Sequence, residues 1–126
     1  MSHIAPGQDL DLSFLYDIAD GSNEFIVESI DMFMQQTPEL LQAITAAIAD
    51  KNWLVASQAA HKLKPNLGFF GMPVSQATIQ EVEIAAKADT PNAEFIQSKF
   101  NEVKALLYDN LISLTKIKGD LEAGIN

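Results

Sequence analysis

The sequence predicts an all-α fold, an up-down-up-down four-helix bundle with a short N-terminal leader helix. Three observations predict it. Apolar residues recur at i+3 and i+4 steps through four long segments. No stretch alternates apolar and polar residues with the period of a strand. The connections between the segments are short, which favours antiparallel neighbours. One domain, residues 1–126, is expected, and a chain of this length buries a real core.

Residues 1–10 are polar with Pro6 and Gly7, and read as a loose lead-in. His3 lies there and is taken as part of that tail rather than as a site. A short helix is expected over Leu12–Ala19, with Asp11 or Ser13 as its cap, and Asp20-Gly21 ends it. Ser22 or Asn23 starts the first long helix, and Glu24 gives its first turn a carboxylate that suits the helix dipole. Phe25/Ile26, Ile30, Phe33, Leu40/Leu41, Ile44 and Ile48 recur at helical spacing and keep one apolar phase through Ala49. Pro38 interrupts the backbone pattern but not that phase, so one kinked helix is expected rather than two. Lys51-Asn52 punctuates, and a helix from about Asn52 to Phe70 follows.

Gly71-Met72-Pro73 then marks a break, with glycine suited to a helix C-terminus and proline to the next first turn. The next helix runs to about Ala88, with Ile79, Val82 and Ala86 inward. Asp89-Thr90-Pro91-Asn92 is a turn. The last helix carries Ile96, Phe100, Val103, Leu107, Leu111 and Leu114 to about Lys118, and residues 119–126 read as a frayed tail.

Composition narrows the function. The chain has no cysteine, so neither disulfides nor thiolate chemistry operate. Its net charge is -9, with nine acidic residues and no lysine or arginine in residues 1–50. Such a charge repels polyphosphate backbones, and nucleic-acid binding is not expected. No apolar run approaches the roughly 18 residues of a membrane span, and no secretory signal opens the chain. The cytoplasm is the expected location. P-loop, HExxH, GxSxG and CxxC motifs are absent. Asp9, Asp11 and Ser13 have calcium-loop spacing, but Phe14 stands where that loop needs glycine. One helix-borne histidine cannot supply the ligands of a metal bundle. Neither a metal nor a cofactor is expected on this chain.

The informative stretch is His61-Lys62-Leu63-Lys64-Pro65-Asn66-Leu67-Gly68. On a helix, Ala56, Ala60, Leu63, Leu67 and Phe70 form one apolar stripe that must face a core. His61 then points about 140° away from the centre of that stripe, toward solvent. Lys64, Gly68, Leu54 and Pro65 surround it on the outer face. Phosphoryl transfer to an imidazole needs a neutral exposed nitrogen, a nearby cation and open space for a docked donor. His61, Lys64 and Gly68 are candidates for the three parts. Gly68 serves either to clear that space or to end the helix. Pro65 removes the donor to the His61 carbonyl, giving a slight bend or acting as a small tolerated residue.

This stretch resembles the histidine-containing phosphotransfer (HPt) domain, the four-helix phosphocarrier of multistep two-component relays. The family pattern is a histidine, a hydrophobic residue two on, a lysine three on, a small residue four on and a later glycine. Here these are His61, Leu63, Lys64, Pro65, and Gly68 or Gly71; Pro65 departs from the common glycine. The resemblance extends from Asp11-Leu12-Ser13-Phe14-Leu15 through Phe33–Leu41 to the last helix. It implies that His61 is the phosphoacceptor and that Lys64 stabilises the added charge. Leu54, Lys62, Pro65 and Gly68 would form the docking surface. The implied partners are response-regulator receiver domains, with a hybrid histidine kinase as a further candidate, and magnesium would sit on the receiver. The chain lacks the ATP-binding machinery of sensor kinases, so it is expected to carry phosphate without kinase activity. A helical adaptor that never carries phosphate is the alternative.

Overall fold

Helix caps and turn residues divide the chain where the sequence suggests. The computed structural model describes residues 9–124, as helices α1 (Ser13–Ala19), α2 (Asn23–Ala49), α3 (Trp53–Phe69), α4 (Pro73–Ala86) and α5 (Ala93–Glu122). No strand occurs among the described residues. Asp11 caps α1, its Oδ1 accepting from the Ser13 backbone N–H at 3.0 Å and the Ser13 hydroxyl at 2.6 Å. Ser22, Asn52 and Asn92 cap α2, α3 and α5 by accepting from the N–H three residues on. Pro38 lies inside α2 and Pro65 inside α3, and both helices continue through them.

α3 packs between α2 and α4, and α5 closes the ring against α4 and α2, while α1 lies on α2. The core between them is built from the predicted stripes. Ile26, Ile30 and Ile44 of α2, Leu63 and Leu67 of α3, Ile79 and Val82 of α4, and Ile96, Phe100 and Leu107 of α5 are all buried. Each such side chain stabilises the fold by about 1.5–3 kcal/mol relative to exposure.

Two expectations about the ends need correction. Residues 1–8 lie outside the described residues, but 9 and 10 are not loose: Asp9 and Leu10 are both buried. The Asp9 carboxylate accepts from the backbone N–H groups of Val74 (2.6 Å) and Ser75 (2.8 Å), and from the Ser75 hydroxyl. These are the orphan donors of the first turn of α4, whose own N-cap position, Met72, offers no side-chain acceptor. A residue far away in sequence therefore caps α4, and the negative charge suits the helix N-terminus. Asn110 of α5 reaches the same carboxylate at 3.4 Å. The Asp11 N–H also donates to the Gly71 carbonyl at 2.8 Å. Residues 9–12 thus form a strap across the end of the bundle, anchored by buried Leu10 and Leu12.

At the other end, α5 does not fray at Lys118 but continues to Glu122. Leu121 is buried and extends the seven-residue series of Leu107 and Leu114. Lys118 pairs with Asp31 of α2 at 2.6 Å, and Lys116 with Asp120 at 3.2 Å, which ties this turn down.

Candidate functional site around His61

The inward stripe of α3 fixes what its outer face offers. Ala56, Ala60, Leu63 and Leu67 are fully buried, which leaves Leu54, His61, Lys62, Pro65 and Gly68 exposed and Lys64 half-buried. All six residues expected at the site therefore share one face of one helix. The His61 side chain is 65% exposed.

What the sequence reading missed is the group beneath it. Glu83 of α4 is 4% exposed and stands among Ile79, Val82 and Ala86 on the buried face of that helix. Its Oε2 lies 2.8 Å from His61 Nδ1 and 2.9 Å from Lys87 Nζ, and its Oε1 lies 2.9 Å from Lys64 Nζ. Burial pushes this carboxyl up, but hydrogen bonds from Lys64, Lys87 and His61 and the Lys64 charge outweigh that, leaving its pKa at about 2. It is ionised at neutral pH.

The ionisation fixes the imidazole. A carboxylate only accepts, so the nitrogen facing it must carry the proton. In the neutral ring the Nδ1–H therefore donates to Glu83, and Nε2 holds the free lone pair. The ring is anchored from below by one nitrogen and offers the other as a nucleophile.

Lys64 is 27% exposed and directed to Glu83 Oε1, on the side of the carboxylate away from the ring contact. An open groove beside the imidazole is lined by Leu54, Ser57, Gln58, His61, Lys62 and Lys87. Lys87 is 59% exposed. Gly68 also has a neighbour the sequence did not announce. A Cβ there would meet Gln76 Nε2 at 2.6 Å, and that amide donates to the Lys64 carbonyl at 3.3 Å. The left-handed turn that ends α3 belongs to Gly71, with φ +64°, while the Gly68 carbonyl accepts from the Gly71 N–H at 3.1 Å. One signal could have found Glu83: a glutamate at i+4 from Ile79 and i−3 from Ala86 lies within the inward stripe of its helix.

The Hpt domain family matches residues 28–112. No curated protein matches the chain. Among solved structures, the HPT domain of a sensor hybrid histidine kinase from Shewanella superposes with a TM-score of 0.62, covering 91% of this chain and 92% of that one at 23% identity. That likeness shows the fold. The family match spans most of the chain and includes His61, Lys64 and Glu83. The chain belongs to the Hpt domain family, the phosphotransfer carriers of phosphorelay signalling.

Proposed function

We propose that His61 Nε2 accepts a phosphoryl group from the phosphoaspartate of one response-regulator receiver and passes it to the aspartate of another. One observation carries this reading: an exposed imidazole whose Nδ1 is held by a buried, ionised glutamate. The Nε2 lone pair forms the N–P bond while the P–O bond to the donor carboxylate breaks, its electron pair staying with the carboxylate. The proton on Nδ1 stays with the ring, and Glu83 compensates the positive charge that develops there. Keeping that proton also keeps the imidazole a good leaving group for the return step. Lys64 supports the added charge indirectly, by holding the Glu83 carboxylate ionised and in place while it balances the ring. Magnesium belongs to the receiver in this scheme, which needs no ATP site on this chain, and receivers of this kind place it in the cytoplasm. The hybrid-kinase origin of the Shewanella structure makes such a kinase the candidate upstream partner.

The test is intact-mass measurement after mixing with receivers charged by acetyl phosphate. The parent gains one acid-labile phosphoryl group, and His61→Gln keeps its helical content and gains none. Binding without any mass change in the parent would leave only an adaptor. Phosphate retained on the variant would overturn His61 as acceptor.

Leu54, Lys62, Pro65 and Gly68 form the docking surface in this reading, which Gly68→Gln tests. A helical glycine is about 1 kcal/mol worse than other residues, and the Gln76 terminus can swing aside, so the melting temperature should stay within about 4 °C. The transfer rate should fall steeply, because a long side chain then stands two turns from the imidazole on the same face. A normal rate in stopped-flow transfer would remove Gly68 from the surface.

A further inference from the structure

The cluster under His61 holds more positive charge than Glu83 requires. Two lysines face one carboxylate, and Lys62 stands exposed on the same groove. Either lysine alone neutralises Glu83. They are not equivalent. Lys64 is the more buried, contacts the far oxygen Oε1, and is absent from the groove lining. Lys87 is the more exposed, lines the groove beside the ring, and shares Oε2 with His61 Nδ1. Its ammonium is therefore two hydrogen bonds from the imidazole, on a groove that His61 also lines.

We propose that Lys87 changes partner when His61 is phosphorylated, leaving Glu83 for the phosphoryl oxygens on Nε2, while Lys64 stays behind to neutralise the carboxylate. This rests on the reading of His61 as phosphoacceptor. The phosphoryl group brings a charge of about −2 to the ring. Lys64 has only a short, half-buried course and is needed where it is, since a buried carboxylate stripped of both cations is strongly disfavoured. Lys87 moves without that cost. The lysine end of its bond to Glu83 is 59% exposed, so the ammonium can turn from the buried carboxylate to another anion without leaving water. No proton or covalent bond changes hands at Lys87; it exchanges one anionic partner for another. The lysine at i+3 from the histidine then acts mainly as the permanent counter-ion of Glu83, and the mobile cation comes from the neighbouring helix.

The experiment compares the parent, Lys87→Gln and Lys87→Arg after equilibration with a charged receiver. It measures the division of phosphate between the two proteins and the half-life of the phosphohistidine. Lys87→Gln should shift the division toward the receiver by about three- to tenfold, the range of an exposed to well-formed charge-assisted contact, and shorten the half-life similarly. Lys87→Arg should restore both. Imidazole ¹⁵N shifts of the unphosphorylated protein should match between parent and Lys87→Gln, since the Glu83 contact to Nδ1 persists; a merely structural role would move them. Equal division and half-life in Lys87→Gln would overturn the proposal, as would failure of Lys87→Arg to restore them. If the parent itself takes up no phosphate, it is the phosphocarrier reading that has failed.

Discussion

Gly71→Ala is expected to destabilise the fold by about 3–5 kcal/mol, enough to take much of a typical domain's stability. Two effects add. Gly71 holds φ +64°, a conformation that costs a residue with a Cβ roughly 1–2 kcal/mol. A Cβ there would also overlap the backbone carbonyl of Asp11, so the strap has to move. Moving it breaks the Asp11 bond to Gly71 and loosens the Asp9 cap on α4, exposing donors that have no other acceptor. Gly21→Ala is the control. It shares the positive φ, +87°, but has nothing within 4 Å of the added carbon. Its cost should stay near 1 kcal/mol. Urea denaturation of the two variants isolates the strap contact as the difference, and equal losses would mean that the strap yields freely.

Glu83→Gln should weaken both the fold and the transfer step, and the two losses carry different signatures. The carboxyl sits at about 2 in the folded protein against an ordinary 4.5. A depressed pKa contributes stability that is present above the ordinary value and is lost as pH falls toward the folded one. The parent should therefore lose roughly 3 kcal/mol between about pH 4.5 and pH 2 from this group. Glu83→Gln should lack that part of the acid slope, and should already be weaker at neutral pH, since two lysines lose their counter-ion. Chemical denaturation across pH checks this, and an unchanged acid slope would show that Glu83 is not the titrating group. Transfer should slow by at least about 10–100-fold, the range seen when a carboxylate that orients a metal-bound histidine is removed. The amide still accepts the Nδ1–H but no longer balances charge on the ring.

The bundle was legible because its helices are amphipathic in the simplest way. Ile79, Val82 and Ala86 fell inward as their spacing requires, and so did Leu63 and Leu67. The exposed half of the site was legible for the same reason, since whatever opposes a buried stripe faces solvent. The other half was not. Glu83 breaks the rule that charges lie outside, and its place depends on three donors from two helices that only the packed α3–α4 pair brings together. Lys87 shows no pattern in sequence beyond an ordinary i,i+4 pair. Asp9 was read as part of a loose tail because a cap supplied from a distant segment leaves no local spacing to recognise. The continuation of α5 past Lys118 was missed because the last residues were read as a frayed terminus, whereas Leu121 is buried and Lys118 pairs with Asp31 of α2.

The strap gives this protein a mechanical outline that differs from its recognisable one. The stretch matched by the family begins at residue 28 and contains the histidine, its glutamate and both lysines. Yet the first turn of the helix that bears Glu83 is held by Asp9, outside that stretch. The anchorage of that helix therefore joins a residue outside the matched stretch to Val74, Ser75 and Asn110 inside it. Residues 9–12 line no part of the groove beside His61. Their link to the imidazole runs through the first turn of α4, the helix that carries Glu83. A substitution at Asp9 alters how firmly the helix bearing Glu83 is held while leaving every residue that lines the groove beside His61 unchanged.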